Sequence, residues 1–205
     1  RVPQVNPVYE VANHRITYLT IDGQGRSIVA SGLVSVPVKA PGASSPVLSY
    51  QHGTTFKDAE APSNHAVGWE PSVVMASLGY IVVAPDYVGY GASRGAQHPY
   101  LLAAPSASAV LDLLTAARTW RQRNQVADNG QLFLAGYSEG GYVTLAAHRA
   151  MQAGNSAHLA NLVAAVPGAS AQAAAEASPE PSAAEKLVFT KPHLANVTPP
   201  RTLGY

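Results

Sequence analysis

The sequence predicts an α/β fold: a mostly parallel sheet with helices on both faces and an antiparallel hairpin at its N-terminal edge. Three observations carry this reading. Between residues 47 and 166, strand-like and helix-like segments alternate, the order that builds a parallel sheet through crossover helices. Residues 80–84 (YIVVA) and 132–135 (LFLA) are unbroken apolar runs, the pattern of strands buried on both faces. Residues 16–21 and 28–38 are rich in β-branched residues and flank Asp22-Gly23-Gln24-Gly25, a hairpin signal.

The elements follow in order. Residues 1–13, broken by Pro3 and Pro7, read as an extended arm. After the hairpin comes a Pro/Gly/Ser loop at 40–46, then a short strand at 47–50 ending in Gln51-His52-Gly53-Thr54-Thr55. Residues 54–66 are a polar loop, and 71–78 a helix closed by Gly79. The strand at 80–84 runs into a glycine-rich loop, Asp86-Tyr-Val-Gly-Tyr-Gly-Ala-Ser93. Ser106 is placed as the cap of a long helix to about Arg123, because Val110, Leu113, Leu114, Ala117 and Trp120 share one helical face. Asp128-Asn129-Gly130 reads as a turn before the strand at 132–135. A helix at 139–152 and a strand at 162–166 follow. Residues 1–168 form the core in this reading. Residues 169–205 form a lid-like helical segment, interrupted by Pro179 and Pro181, and a tail.

Bulk properties exclude several classes. The chain has 205 residues, 47% hydrophobic and only 12% charged, which is the balance of a globular domain with a core of its own. Its net charge of +1 contains no basic run, so nucleic acid is not indicated. Arg118, Arg121 and Arg123 read as the solvated last turn of a helix, where cations suit the dipole. The absence of cysteine excludes disulfides and thiolate chemistry. No apolar run approaches the roughly 20 residues that span a membrane. No signal peptide is recognisable, and the chain opens at Arg1-Val2-Pro3 without methionine, as a processed or trimmed product does. Asp58, Glu60, His65 and Glu70 are neighbours in sequence, but their spacing matches no metal-ligand pattern. Neither metal nor cofactor is expected.

The segment "LFLAGYSEGGY" (132–142) carries the chemistry. A helix that starts directly at the end of a buried strand needs a sharp turn. The residue in the bend is strained, and its side chain projects from the carboxyl edge of the sheet. Backbone comes close there, so the positions two before and two after must be small. They are Gly136 and Gly140, with Gly141 adding clearance. Ser138 is then a nucleophile, and the Glu139 N–H, at the helix N-terminus, an oxyanion donor. The same residues could make an ordinary tight turn; the strand before and the helix after favour the nucleophile. Gln51-His52-Gly53-Thr54 ends the first parallel strand and offers a second oxyanion N–H, from Thr54 in preference to Gly53. Gly53 lets the chain approach a substrate without a Cβ. His52 reads as structural rather than as a base.

These residues carry a resemblance. "YQHGTT" (50–55), "YIVVAPDYVGYGAS" (80–93) and "GYSEGG" (136–141) resemble the α/β-hydrolase superfamily, specifically its bacterial and fungal secretory lipase and esterase group, over roughly residues 30–170. The resemblance implies an eight-stranded, mostly parallel sheet, ester hydrolysis by a Ser-Asp-His triad without a cofactor, and a lid after the sixth strand. It implies export to the periplasm or outside the cell, although composition specifies no compartment and leaves the cytoplasm open. Ser138 resembles the nucleophile, and Glu139 and Thr54 the oxyanion donors. Asp86 resembles an aspartate that is usually structural; the order Ser…Asp…His argues against it as the triad acid.

The later half of that pattern is not in the sequence. No aspartate follows Ser138; the acids are Glu139, Glu176, Glu180 and Glu185, and the histidines His148, His158 and His193. His148 lies ten residues along the helix, about 15 Å from its start at 1.5 Å per residue. His158 precedes the sixth strand, at the wrong edge of the sheet. His193 stands in a proline-flanked tail and reads as a surface residue. The expectation is the N-terminal portion of a hydrolase plus the start of its lid, with the last strands, the acid and the histidine supplied by a second polypeptide or a C-terminal segment. The expected substrate is a small ester, with Tyr87, Tyr90, Tyr137, Tyr142 and Trp69 as aromatic surface or as packing. Two rivals stand beside esterase: an acyltransferase or peptidase on the same scaffold, and a non-catalytic binding module that has lost its triad.

Overall fold

The computed structural model describes residues 6–168; residues 169–205, where the lid-like segment, Glu176, Glu180, Glu185 and His193 fall, lie outside the described residues. Among the described residues six strands form one sheet: β1 (Val11–Ile21), β2 (Ser27–Pro37), β3 (Ser45–Gln51), β4 (Ile81–Pro85), β5 (Asp128–Tyr137) and β6 (Leu162–Gly168), in the spatial order β1-β2-β4-β3-β5-β6. β1 with β2 and β2 with β4 are antiparallel, whereas β4, β3, β5 and β6 run parallel. The sheet is mixed and mostly parallel, with the hairpin at its N-terminal edge.

Alternation along each strand sorts the core into two layers. Val47, Ile81, Val83, Leu132 and Leu134 face α2 (Ala103–Arg123) and α3 (Glu139–Ala153), and meet Val110, Leu113, Leu114, Ala117, Val143, Ala147 and Met151. Leu48 and Val82 face the other way and meet Ala76 of α1 (Pro71–Ser77), with Tyr50, Phe133 and Ala135 beside them. Helices therefore cover both faces. Each fully buried aliphatic side chain contributes about 1.5–3 kcal/mol of transfer free energy.

The hairpin turn is held by Asp22, whose Oδ1 accepts the N–H groups of Gln24 and Arg26 at 2.9 Å, while Gly25 takes φ 76°. The strand that leads into it runs back to Val11, so the last residues of the expected arm are already paired with β2.

Three local expectations need correction. Ser106 is not a cap. α2 begins at Ala103 with Leu102 as its extended N-cap, and the Ser106 amide already donates to the Leu102 carbonyl. Pro105 sits in that first turn, where its missing N–H costs nothing. Asp128-Asn129-Gly130 does bend, with Asp128 Oδ1 accepting the Gly130 N–H at 2.9 Å, yet it lies within β5 and Asp128 pairs with Ser45. Arg121 is not solvated: it is 7% exposed and its guanidinium lies 3.1 Å from Asp128. The helix turns that side chain inward against the head of β5. Burial lowers its pKa first, and Asp128 opposes that shift.

Candidate active site

β3 lies between β4 and β5, although the chain visits β3, β4 and β5 in that order. The connection after β3 goes to one side and the connection after β4 to the other. Such a switch point opens a crevice at the carboxyl ends of the strands. The two loops singled out from sequence meet at it.

Ser138 stands between β5 and α3 at φ 58°, ψ −122°, a conformation that only glycine adopts freely. Its neighbours leave no room for side chains. A methyl on Gly140 would collide with the Gln51 carbonyl oxygen and come within 2.7 Å of that of His52. A methyl on Gly136 would run into the Gly140 carbonyl and lie 2.7 Å from Thr144 Oγ1. The Ser138 N–H donates to the Gly168 carbonyl at 3.1 Å, which ties the turn to the end of β6. On the other side, a methyl on Gly53 would stand 3.7 Å from Ser138 Cβ. Buried Gln51 fastens the two loops together. Its amide NH2 donates to Thr144 Oγ1 at 2.8 Å and to the Ala135 carbonyl at 3.0 Å, while Thr144 donates to the Gly140 carbonyl at 2.8 Å.

Glu139 is the first residue of α3, so its N–H has no intrahelical acceptor. Neither that N–H nor the one of Thr54 has a hydrogen-bond partner among the described residues. Two backbone N–H groups thus lie beside the strained serine in the chain or next to the Gly53 that borders it. That arrangement is suited to receiving a developing oxyanion.

The remaining sequence candidates fall as follows. His52 stacks on Tyr87 at 4.1 Å between ring centroids; its Nδ1 lies 2.7 Å from the Gly53 carbonyl and its Nε2 is buried. Burial pushes its pKa down, with the nearby Gly53 carbonyl and Glu139 working against the shift. Asp86 is fully buried. It accepts from the Ser31 hydroxyl, the Ser63 hydroxyl and the Ser63 N–H, at 2.5, 2.5 and 2.7 Å. Its carboxylate thus fastens the 58–65 loop to β2. His148 is buried along α3, and His158 lies 3.0 Å from Thr115 of α2. Among the described residues no group of three metal-ligating side chains converges, so Asp58, Glu60, His65 and Glu70 do not form a cluster. Of the aromatic residues, Tyr87 is buried and donates to the His52 carbonyl, and Tyr142 packs on the core; Trp69 and Tyr137 are 75% and 65% exposed.

One pair at the site was not legible in the sequence. Glu139 is 4% exposed, and its Oε1 lies 2.7 Å from His98 Nε2. His98 Nδ1 lies 2.8 Å from the Val88 carbonyl. A neutral imidazole carries a single N–H, so both bonds together require the imidazolium. Burial lowers the His98 pKa, but the Glu139 and Val88 hydrogen bonds outweigh it, and the net shift is upward. The partners are 41 residues apart, and a lone histidine before Pro99 has no pattern to announce it.

The model of the secretory lipase family matches residues 60–178, more than half of the sequence. The chain belongs to the secretory lipase family. The rice cell wall degrading esterase LipA from Xanthomonas oryzae is similar to this family member in structure. The two share 35% sequence identity with a TM-score of 0.71, over 78% of this chain and 43% of LipA. Candida antarctica lipase A, at 20% identity and a TM-score of 0.53 over 76% of this chain and 37% of its own, shares the fold. The chain spans less than half the length of these solved structures. No curated protein matches it. Among the described residues no helix is long and apolar enough to cross a membrane.

Proposed function

We propose that this chain carries the nucleophile and oxyanion site of an exported serine ester hydrolase. The observation that carries the reading is Ser138 itself, held at φ 58° between a buried strand and a helix N-terminus, against the Gly53 loop. Membership of the secretory lipase family and the likeness to an esterase support it.

In the proposed reaction the Ser138 hydroxyl attacks the ester carbonyl carbon. Its proton passes to a general base, and the carbonyl oxygen becomes an oxyanion facing the Glu139 and Thr54 N–H groups. Collapse expels the alcohol, which takes the proton, and water releases the acid from the acyl-serine. His98 is no candidate for the base, because both its nitrogens are engaged. The base and its acid partner come from residues outside 6–168: from a C-terminal segment or from a second polypeptide. Donors of this kind are worth roughly 10²–10³ in rate each.

The test is intact mass of the protein before and after a fluorophosphonate probe, followed by ester hydrolysis. One adduct, absent from Ser138→Ala, with ester turnover lower by about 10⁴-fold or more in that variant, supports the reading. No adduct on the folded protein containing all its chains would instead indicate a hydrolase fold that binds without reacting.

A further inference from the structure

We propose that His98 and Glu139 act as a positioning pair for the nucleophile turn, aiming the Glu139 N–H and neutralising the carboxylate beside the oxyanion. The inference rests on the reading of Ser138 given above. A glutamate at the first position of a helix ordinarily turns to solvent, where the dipole favours it. Here it is buried and aimed at a single partner. The residue that bears the proposed oxyanion donor is therefore gripped by its side chain as well as by its helix.

The grip is itself rigid. His98 is fixed through Nδ1 to the Val88 carbonyl, and its ring lies against Tyr87, Tyr90 and Tyr100, at 6.0, 5.1 and 6.0 Å between centroids. Its backbone packs on Gly89, where a methyl would come within 2.9 Å of His98 Cα. Tyr90 in turn donates to the Thr55 carbonyl at 2.6 Å, next to the second proposed donor, Thr54. A single cluster thus braces both sides of the crevice.

Charge gives the pair a second use. An unpaired carboxylate one residue from Ser138 would oppose a growing negative charge on the substrate oxygen. The imidazolium cancels that opposition. The titratable groups facing the pair are His52, through Tyr87 and toward Glu139, and the phenols of Tyr87, Tyr90 and Tyr100. Burial first, then Glu139, raises the pKa of Tyr87 and of Tyr90, and burial lowers that of His52, so neither the two phenols nor the second imidazole adds a charge near neutrality. The sign follows. The pair is intact where His98 is cationic, and is lost as pH rises through a value above that of an ordinary imidazole.

The test uses the complete protein, and reads the pH dependence of fluorophosphonate labelling at Ser138 beside the titration of the His98 imidazole by nitrogen NMR. In the parent, labelling falls on the alkaline side with the same midpoint as His98. In Glu139→Gln that limb moves to lower pH. In His98→Gln it disappears, with labelling about 10–100-fold slower, and the double variant recovers part of the loss because no buried carboxylate is left unpaired. A parent whose alkaline limb and His98 titration do not coincide overturns the proposal without need of a variant, as do variants that keep the parental profile. A parent that never labels at any pH overturns the nucleophile reading, and this inference with it.

Discussion

Ser138 holds an L side chain at φ 58°, ψ −122°, where the backbone strain is of order 1–3 kcal/mol. Replacing it with glycine relieves that strain and removes the hydroxyl. Ser138→Gly is therefore expected to be more stable than the parent by about 1 kcal/mol in urea denaturation, and to take up no fluorophosphonate. A variant less stable than the parent would mean that the turn is not strained at this residue. Ser138 was legible because its local sequence repeats its local constraint: small, serine, small, after a strand and before a helix. The Glu139 side chain was not. Its neighbour in sequence is Ser138, but its neighbour in space is His98.

The turn joining β5 to α3 is a packing problem solved by missing side chains. Gly140 rests on the Gln51 and His52 carbonyls, and backbone cannot step aside as a side chain end can. Gly140→Ala is expected to lower stability by roughly 2–3 kcal/mol and to slow labelling of Ser138 by at least tenfold, because α3 must lift off β3. Labelling at the parental rate would show that the strand and helix are not wedged there. On α2 the lesson runs the other way. Its periodicity marks the buried stripe, but the charge pattern of a last turn does not say where that turn points, and Arg121 points inward. Arg121→Ala is expected to cost about 1–2 kcal/mol by thermal melting, chiefly from lost packing of its aliphatic stem and from Asp128 left alone. A change under a few tenths would return Arg121 to the surface.

On the scale of the molecule, the decisive event is the entry of β4 between β2 and β3. It brings Asp86, at the end of β4, against Ser31 of β2 and against Ser63 in the loop that follows the oxyanion segment. Asp86→Asn turns one accepting oxygen into a donor facing two hydroxyls. The expected loss is roughly 2–4 kcal/mol in urea denaturation, with Ser138 still labelled in the fraction that folds. Outright loss of labelling at full stability would instead make Asp86 part of the chemistry.

The sequence by itself determined the class of fold, the buried stripe of α2, and the serine with its glycines. All of these are set by residues within a turn or two of one another, through periodicity and steric exclusion. The tertiary structure decided the strand order, the meeting of Gly53 with Ser138, the burial of Arg121 and the pairing of His98 with Glu139. Arg121 meets Asp128 only because the end of α2 lies against the head of β5, and the other contacts join segments tens of residues apart, 41 for His98 and Glu139, where any one histidine can pair with many carboxylates. Only the assembled sheet, with its crossovers to either side of β3, selects among them.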